Sequence, residues 1–253
     1  MKNILITGSS SGLGAEFAKQ YAITKARLFL TGRDKDRLSD IAKICRDLGA
    51  ETHESVVDVS DRTEMTLLIN TITDHYDLDL IIANAGIGLN WGNHHDIKND
   101  YDVFDINCGG VINTIIPALP KMMHKKSGHI VIISSLSGLV PMPSAPAYSA
   151  SKAAIRFYGE ALRSKIALYN IKVSVICPGF IKSNLTDAND FPMPFLMDTQ
   201  PAVTYMMRKI EQGQSRITFP WQMALPLTIL GLLPSMISSF ILSLLPSKGT
   251  KKL

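Results

Sequence analysis

The chain has 253 residues, 46% of them hydrophobic and 19% charged, enough for one large or two small folded domains and unlike a disordered or fibrous polypeptide. Its formal net charge of +4 comes without a long basic block, so nucleic acid is not an expected partner. The three cysteines, Cys45, Cys108 and Cys177, are odd in number and widely spaced, which argues against a disulfide framework or a paired-cysteine metal site and fits a reducing compartment.

Met1-Lys2-Asn3 leads directly into an apolar run, not into the layout of a secretory signal, so the first residues are expected to belong to the fold. Six short runs rich in Ile, Val and Leu read as strands buried on both faces: 4–6, 27–30, 53–57, 78–83, 129–133 and 172–177. Between them, length and apolar spacing predict helices over 13–23, 36–48, 62–74, 100–124 and 147–169, with Gly49, Gly128 and Asn170 at helix C-termini. This alternation predicts an α/β fold, a Rossmann-type doubly wound parallel sheet with helices on both faces. After Pro178-Gly179 the pattern changes. Pro192, Pro194 and Pro201 precede a helix-like 202–212 and a possible strand over Arg216–Phe219. Residues 223–245 contain no charge and are followed by Lys248, Lys251 and Lys252.

Thr7-Gly8-Ser9-Ser10-Ser11-Gly12-Leu13-Gly14 lies between the first strand and the first helix. Gly8 permits a tight turn, while Gly12 and Gly14 let backbone and helix approach a pyrophosphate at the helix N-terminus; Ser10, Ser11 and Leu13 complete that turn. The second strand ends in Thr31-Gly32-Arg33. An acid there would bond the free 2′-hydroxyl of NAD, whereas Arg33 suits the 2′-phosphate of NADP, so NADP(H) is favoured over NAD(H). Asp34 beside it weakens that preference slightly. Asp58 and Val59 follow the third strand, and Asp58 serves equally as an adenine contact or as a helix N-terminal acid. Asn84-Ala85-Gly86 closes the fourth strand with small residues that admit a cofactor.

Ser135 precedes Tyr148 by thirteen residues, and Lys152 follows Tyr148 by four. Helical spacing puts Lys152 beside Tyr148, where an ammonium is expected to lower the phenol's pKa from its ordinary ~10. Ser135 would project from a strand end towards a bound substrate. No metal site is evident; His94-His95 and the scattered methionines read as loop and core.

These motifs resemble the short-chain dehydrogenase/reductase family from residue 1 to about residue 185: the glycine turn, Asn84-Ala85-Gly86, Asn107, Ser135, Tyr148-x-x-x-Lys152 and Pro178-Gly179. The resemblance implies a hydride-transferring oxidoreductase with Tyr148 as general acid/base and Lys152 also holding the nicotinamide ribose. It implies that Ser135 orients the carbonyl, that Asn107 anchors a water in the proton relay, and that Pro178, Gly179 and Ile181 pack along the nicotinamide. Ser183 stands near the place where the family often carries threonine.

The chain is thus expected to hold a catalytic domain over 1–220, with an apolar and methionine-rich substrate region at 180–212, and an apolar extension over 221–253. A hydrophobic carbonyl or alcohol is the expected substrate, and a noncatalytic dinucleotide-binding sensor or membrane-associated scaffold is the rival reading. The run 223–245 is long enough to span a bilayer, which takes ~20 residues, but Pro226, Gly231 and Pro234 argue against one straight helix. A helical hairpin in a membrane interface is preferred to a buried cap or subunit contact, and both to a full span. The location expected is cytoplasmic, peripheral on the inner face of a membrane. A homodimer through the helices at 100–124 and 147–169 is compatible with the resemblance.

Overall fold

Five of the six apolar runs form strands covered on both faces; the run at 53–57 falls in an edge strand that leaves Glu54 and Val56 exposed, against expectation. The computed structural model describes residues 1–88, 97–183, 186 and 192–244. Within them β1 (Asn3–Thr7), β2 (Arg27–Gly32), β3 (Glu51–Val56), β4 (Leu80–Ala83), β5 (Gly128–Ile133), β6 (Ile171–Pro178) and β7 (Arg216–Phe219) form one sheet. Its order is β3-β2-β1-β4-β5-β6-β7 and every pairing is parallel. Successive side chains on a strand point to opposite faces. Ile4 and Ile6 therefore enter one core with Phe17, Leu38 and Val203, while Leu5 enters a second with Met65, Ile69 and Ile155.

The first core is roofed by α1 (Gly12–Ile23), α2 (Lys35–Asp47) and α8 (Thr199–Glu211). The second lies under α3 (Arg62–His75), α7 (Pro146–Ile166) and a helical run made of α4 (Ile97–Phe104), α5 (Gly110–Ile115) and α6 (Leu119–Lys125). That run, Asp100–Lys125, is long and apolar enough to cross a membrane, yet Val103, Val111, Ile115 and Met122 are buried in the domain, which makes it a core helix. It is also not one regular helix: Asp105–Gly109 forms a π-helical turn between α4 and α5, and Ile116–Ala118 a tighter turn before α6.

One predicted cap is misplaced. The helix ends at Lys125, and Lys126 takes the left-handed position at φ +53°; Gly128 begins β5 instead, packed against Met122. Gly49 and Asn170 do hold left-handed positions at helix ends, φ +98° and +54°. β7 completes the sheet and is tied to α7 by Arg216, whose guanidinium lies 2.7 Å from Glu160. Beyond it stand two short helices, α9 (Trp221–Leu232) and α10 (Ser235–Ser243), separated at Leu233-Pro234 where both residues are extended. The break falls where Pro234 placed it, and neither helix has the length of a full span. Leu245 and the three terminal lysines lie outside the described residues, as do His94, His95 and Phe191.

Gly14 sets how closely α1 approaches β1: a Cβ there would sit 2.1 Å from the Gly8 carbonyl oxygen. A Cβ on Gly109 would meet nothing within 4 Å. Gly14→Ala should lower the unfolding free energy by about 1–3 kcal/mol through overpacking. Gly109→Ala should raise it by up to about 1 kcal/mol through helix propensity. Guanidinium denaturation of the two variants reads both signs; equal effects would refute this account of the approach.

Candidate active site

The carboxyl ends of the parallel strands open on a cleft of about 650 Å³. At its floor Gly8 and Gly12 have φ of +69° and +54°, conformations open to glycine at little cost. Ser11 is the N-cap of α1 but makes no side-chain capping bond, and the first turn holds no acid. The positive end of α1, with Ser10, Ser11, Gly12 and Leu13 on the wall, therefore faces the cleft unneutralised. Gly14 lies beneath, as the spacer between helix and turn. Asn84 donates through Nδ2 to the carbonyls of Thr7 (2.9 Å) and Gly8 (3.3 Å), so its amide braces the turn from β4. Ala85 and Gly86 continue the wall.

At the end of β2, Gly32 abuts Ser10, and a Cβ on it would come within 3.1 Å of the Ser10 hydroxyl. Arg33 is largely exposed, 3.5 Å from Asp58. Asp34 caps α2, accepting from the Arg37 amide at 3.0 Å and pairing with the Arg37 guanidinium at 2.5 Å. The Arg37 contacts, with the amide bond first, hold the Asp34 carboxyl below the usual carboxylate range. Arg37 also lines the cleft, so two arginines stand at this end, the second unforeseen because its spacing suits an ordinary helix surface.

Asp58 is not the N-terminal acid of α3. Asp61 fills that role, accepting from the Glu64 amide at 2.9 Å. Asp58 instead lines the cleft and accepts from the Ser60 amide and hydroxyl at 2.9 and 2.7 Å. Val59 beside it is positioned by two residues that the sequence did not single out. Asn113 donates to its carbonyl at 2.9 Å, and Gly110 leaves room for its side chain.

The reactive groups meet on the wall formed by β5 and α7. Ser135 is buried at the end of β5, where its hydroxyl accepts from the Ser137 amide at 3.1 Å. Tyr148 is half-buried on the same wall, and the Lys152 ammonium lies 5.7 Å from its ring centre. Lys152 is only 4% exposed and donates to the Ile133 carbonyl at 3.0 Å. Desolvation lowers its pKa to about 8. Burial raises the Tyr148 phenol above its ordinary value, while a hydrogen bond with Ser135 works in the opposite direction. The expected depression of the phenol by the ammonium does not appear: desolvation is the larger influence, Ser135 the opposing one, and Lys152 is turned to a backbone carbonyl. The Ser134 hydroxyl, also unforeseen, fixes α7 against β5 by donating to the Lys152 carbonyl at 2.7 Å.

Asn107 lies in the π-helical turn, fully buried and behind the cleft wall. Its Oδ1 accepts from the Ile87 amide at 2.8 Å, and its Nδ2 donates to the Ile87 carbonyl at 3.0 Å and the Ser151 hydroxyl at 3.1 Å. A π turn inserts one residue into the helix, which aims Asn107 at the loop after β4. Pro178, Gly179, Ile181 and Ser183 line the side opened by β6. Thr186 joins them; its hydroxyl accepts from the Ser183 amide at 2.8 Å. The substrate region is less of a pocket than its methionines suggested. Met206 is fully buried in the core, Met197 and Met207 pack against that core, and Phe195 and Leu196 are exposed.

The chain matches the short chain dehydrogenase family over residues 2–191. It is 36% identical over 242 residues to an uncharacterized oxidoreductase of Myxococcus xanthus (strain DK1622), covering 92% of this chain and 93% of that protein. In fold it is similar to a short-chain dehydrogenase from Sphingobium yanoikuyae in complex with NADPH, at a TM-score of 0.83, 21% identity and 97% of each chain. A short chain dehydrogenase from Mycobacterium paratuberculosis bound to NAD aligns with a TM-score of 0.75 and 20% identity, over 86% of this chain and 95% of that one. The family match over most of the chain and the full-length likeness to the Myxococcus protein lead to one assignment: this chain belongs to the short-chain dehydrogenase/reductase family.

Proposed function

We propose that this protein interconverts a carbonyl and an alcohol on a hydrophobic substrate with a nicotinamide dinucleotide, and that Tyr148 is the general acid/base. The observation that carries the reading is the convergence of Ser135, Tyr148 and Lys152 in the same cleft as the uncapped N-terminus of α1. The cleft fits a dinucleotide by the chemistry of its donors. Backbone amides and a helix end suit a pyrophosphate, small residues line the turn, and cations stand at the far strand end. The bound nicotinamide supplies or accepts the hydride.

The chain's own groups handle the proton and the geometry. The Ser135 hydroxyl orients the carbonyl oxygen, and the Tyr148 phenol donates the proton to it in reduction or takes it in oxidation. Lys152 stabilises the phenolate left after donation and holds the ribose. Asn107 acts as a positioning residue through Ile87 and Ser151. Burial holds the phenol above its ordinary value, so near pH 7 it keeps the proton that carbonyl reduction takes up.

The NADP(H) preference rests on the end of β2. Arg33 and Arg37 provide cations, Asp34 is engaged at the α2 cap, and the Gly32 position, where an acid would stand, is tightly flanked by the Ser10 side chain. The exposed Tyr101, Phe104, Ile112, Ile116 and Phe157 on the helical run and α7 fit a helix-to-helix homodimer. Three free thiols suit a cytoplasmic setting.

Tyr148→Phe should reduce turnover of hydrophobic ketones by at least ~100-fold while leaving NADPH affinity nearly unchanged. Nicotinamide absorbance and fluorescence titration measure the two, and wild-type-like turnover would overturn the assignment. Arg33→Ala should weaken NADPH by roughly ten- to hundredfold, the loss of one charge-assisted bond, and NADH far less; a wild-type preference for NADH in titration contradicts the reading.

Lys152 has a stability signature as well. Its folded pKa of about 8 lies below the ordinary 10.5, so between those values the unfolded chain binds more protons and stability from this group rises with pH. At pH 7 the buried ammonium costs on the order of 3 kcal/mol. Lys152→Met should therefore raise Tm at pH 7, by up to about 6–12 °C if the whole cost is recovered, while impairing turnover and NADPH binding. A lowered Tm at pH 7 would show that the buried ammonium is not a net cost.

A further inference from the structure

α9 and α10 carry the largest apolar exposure among the described residues. Leu225, Ile229 and Leu232 on α9, and Met236, Phe240 and Leu244 along α10 and its end, recur at three- and four-residue steps and are all at least half exposed. Leu232 and Met236 reach 81% and 85% exposure. The inward side is fixed: Ala224 packs with Leu136, Val175 and Cys177, and Leu242 is buried. We propose that α9 and α10 dock the protein on an anionic lipid surface, lying within one leaflet rather than crossing it.

Three observations favour lipid over a second protein. First, no residue from Trp221 to Leu244 is charged, so the face lacks the polar and arginine-bearing features of a protein interface. Second, three hydroxyls of the two helices turn onto their own backbone: Thr228 donates to the Ala224 carbonyl at 2.7 Å, the buried Ser238 to Ser235 at 3.2 Å and Ser243 to Phe240 at 2.7 Å. Polar groups satisfied within the helix are what a medium without hydrogen-bond partners demands. Third, the charge of the chain is segregated. After Glu211 there is no acid, and Arg216, Lys248, Lys251 and Lys252 contribute 4 positive charges; the preceding residues hold 22 of each sign, since 26 − 4 = 22. The whole formal excess of +4 thus lies in the segment that carries the apolar helices. Apolar burial with flanking cations is the pattern of an interfacial element attracted to negative headgroups.

Length decides against a span. At 1.5 Å per residue, the 12 residues of α9 reach about 18 Å and the 9 of α10 about 14 Å, short of a hydrocarbon core of roughly 30 Å. The docking element also adjoins the cleft. A Cβ on the cleft residue Gly179 would lie 2.9 Å from Pro220 and 3.4 Å from the Met223 sulphur, at the start of α9.

The test uses the full chain, without cofactor or substrate, so it stands or falls apart from the enzymatic reading. The protein is sedimented with phosphatidylcholine vesicles and with mixed phosphatidylcholine–phosphatidylglycerol vesicles, alongside the double variant Leu232→Asp, Met236→Asp. Both substituted side chains are on the surface, and thermal melts should match wild type. Wild type should partition into the mixed vesicles at least about tenfold more strongly than into the neutral ones. The double variant should lose at least about tenfold of that partition. Absence of vesicle association, association unaltered in the double variant, or equal association with both vesicle types would overturn the proposal. So would a detergent-free dimer that the aspartates dissolve while vesicles are ignored, since that outcome assigns the face to a second copy.

Discussion

Thr7 and Asn84 hold β1 to β4 where the chain reverses its direction of winding. From β1 the sheet grows one way to β3, and from β4 the other way to β7. At such a switch point the connecting segments leave to opposite faces and a crevice opens between them. Without a clasp, the polar backbone at the two strand ends would lack partners. The Thr7 hydroxyl accepts from the amides of Asn84 and Ala85 at 3.1 and 3.2 Å, and Asn84 returns bonds to the carbonyls of Thr7 and Gly8. These contacts fix the glycine turn from the side, through groups that do not compete for the amides facing the cleft. The close seating of α1, the depth of the cleft floor and the placement of Gly86 beside Asn107 and Lys152 all follow from that junction.

The sheet was legible because its inner strands are buried on both faces, which leaves runs such as Ile4-Leu5-Ile6 and Ile130-Val131-Ile132-Ile133 without polar interruption, whereas the edge strand β3 is polar and largely uncovered. Helix extents were legible for the complementary reason, one apolar side per helix. What could not be read depends on departures from periodicity. The π turn at Asp105–Gly109 leaves no mark in the apolar spacing, yet it decides that Asn107 turns inward to Ile87 and Ser151. Lys126 takes a left-handed cap that composition would assign to the nearby Gly128. Asp58 and Asp61 are both plausible first-turn acids, and only geometry divides a cleft residue from a cap.

The site residues show the same division. Tyr148, Lys152 and Ser135 were identifiable from type and spacing because their chemistry needs those groups at those intervals. Their protonation was not, since it depends on how much water each group loses. Sequence spacing supplies the charge pair but not the burial, and in this cleft burial governs both partners: the phenol is pushed up and the ammonium down. Arg37 and Thr186 escaped notice because each resembles an ordinary surface or turn residue until the fold brings it to the wall. The methionines misled in the opposite sense, since Met206 serves the core beneath α8 and not a pocket.

Gly32 and Ser10 belong to different strand ends but share one small volume. The absence of a side chain at residue 32 is what lets the Ser10 hydroxyl sit where it does. Any larger residue at the end of β2 therefore presses on the turn that lines the cleft floor, so a change at one end of a bound nucleotide is felt at the other. A side chain at position 32 asks the Ser10 side chain to yield by a few tenths of an ångström, so the residue that reads the ribose and the residue that lines the phosphate turn are coupled through one shared contact.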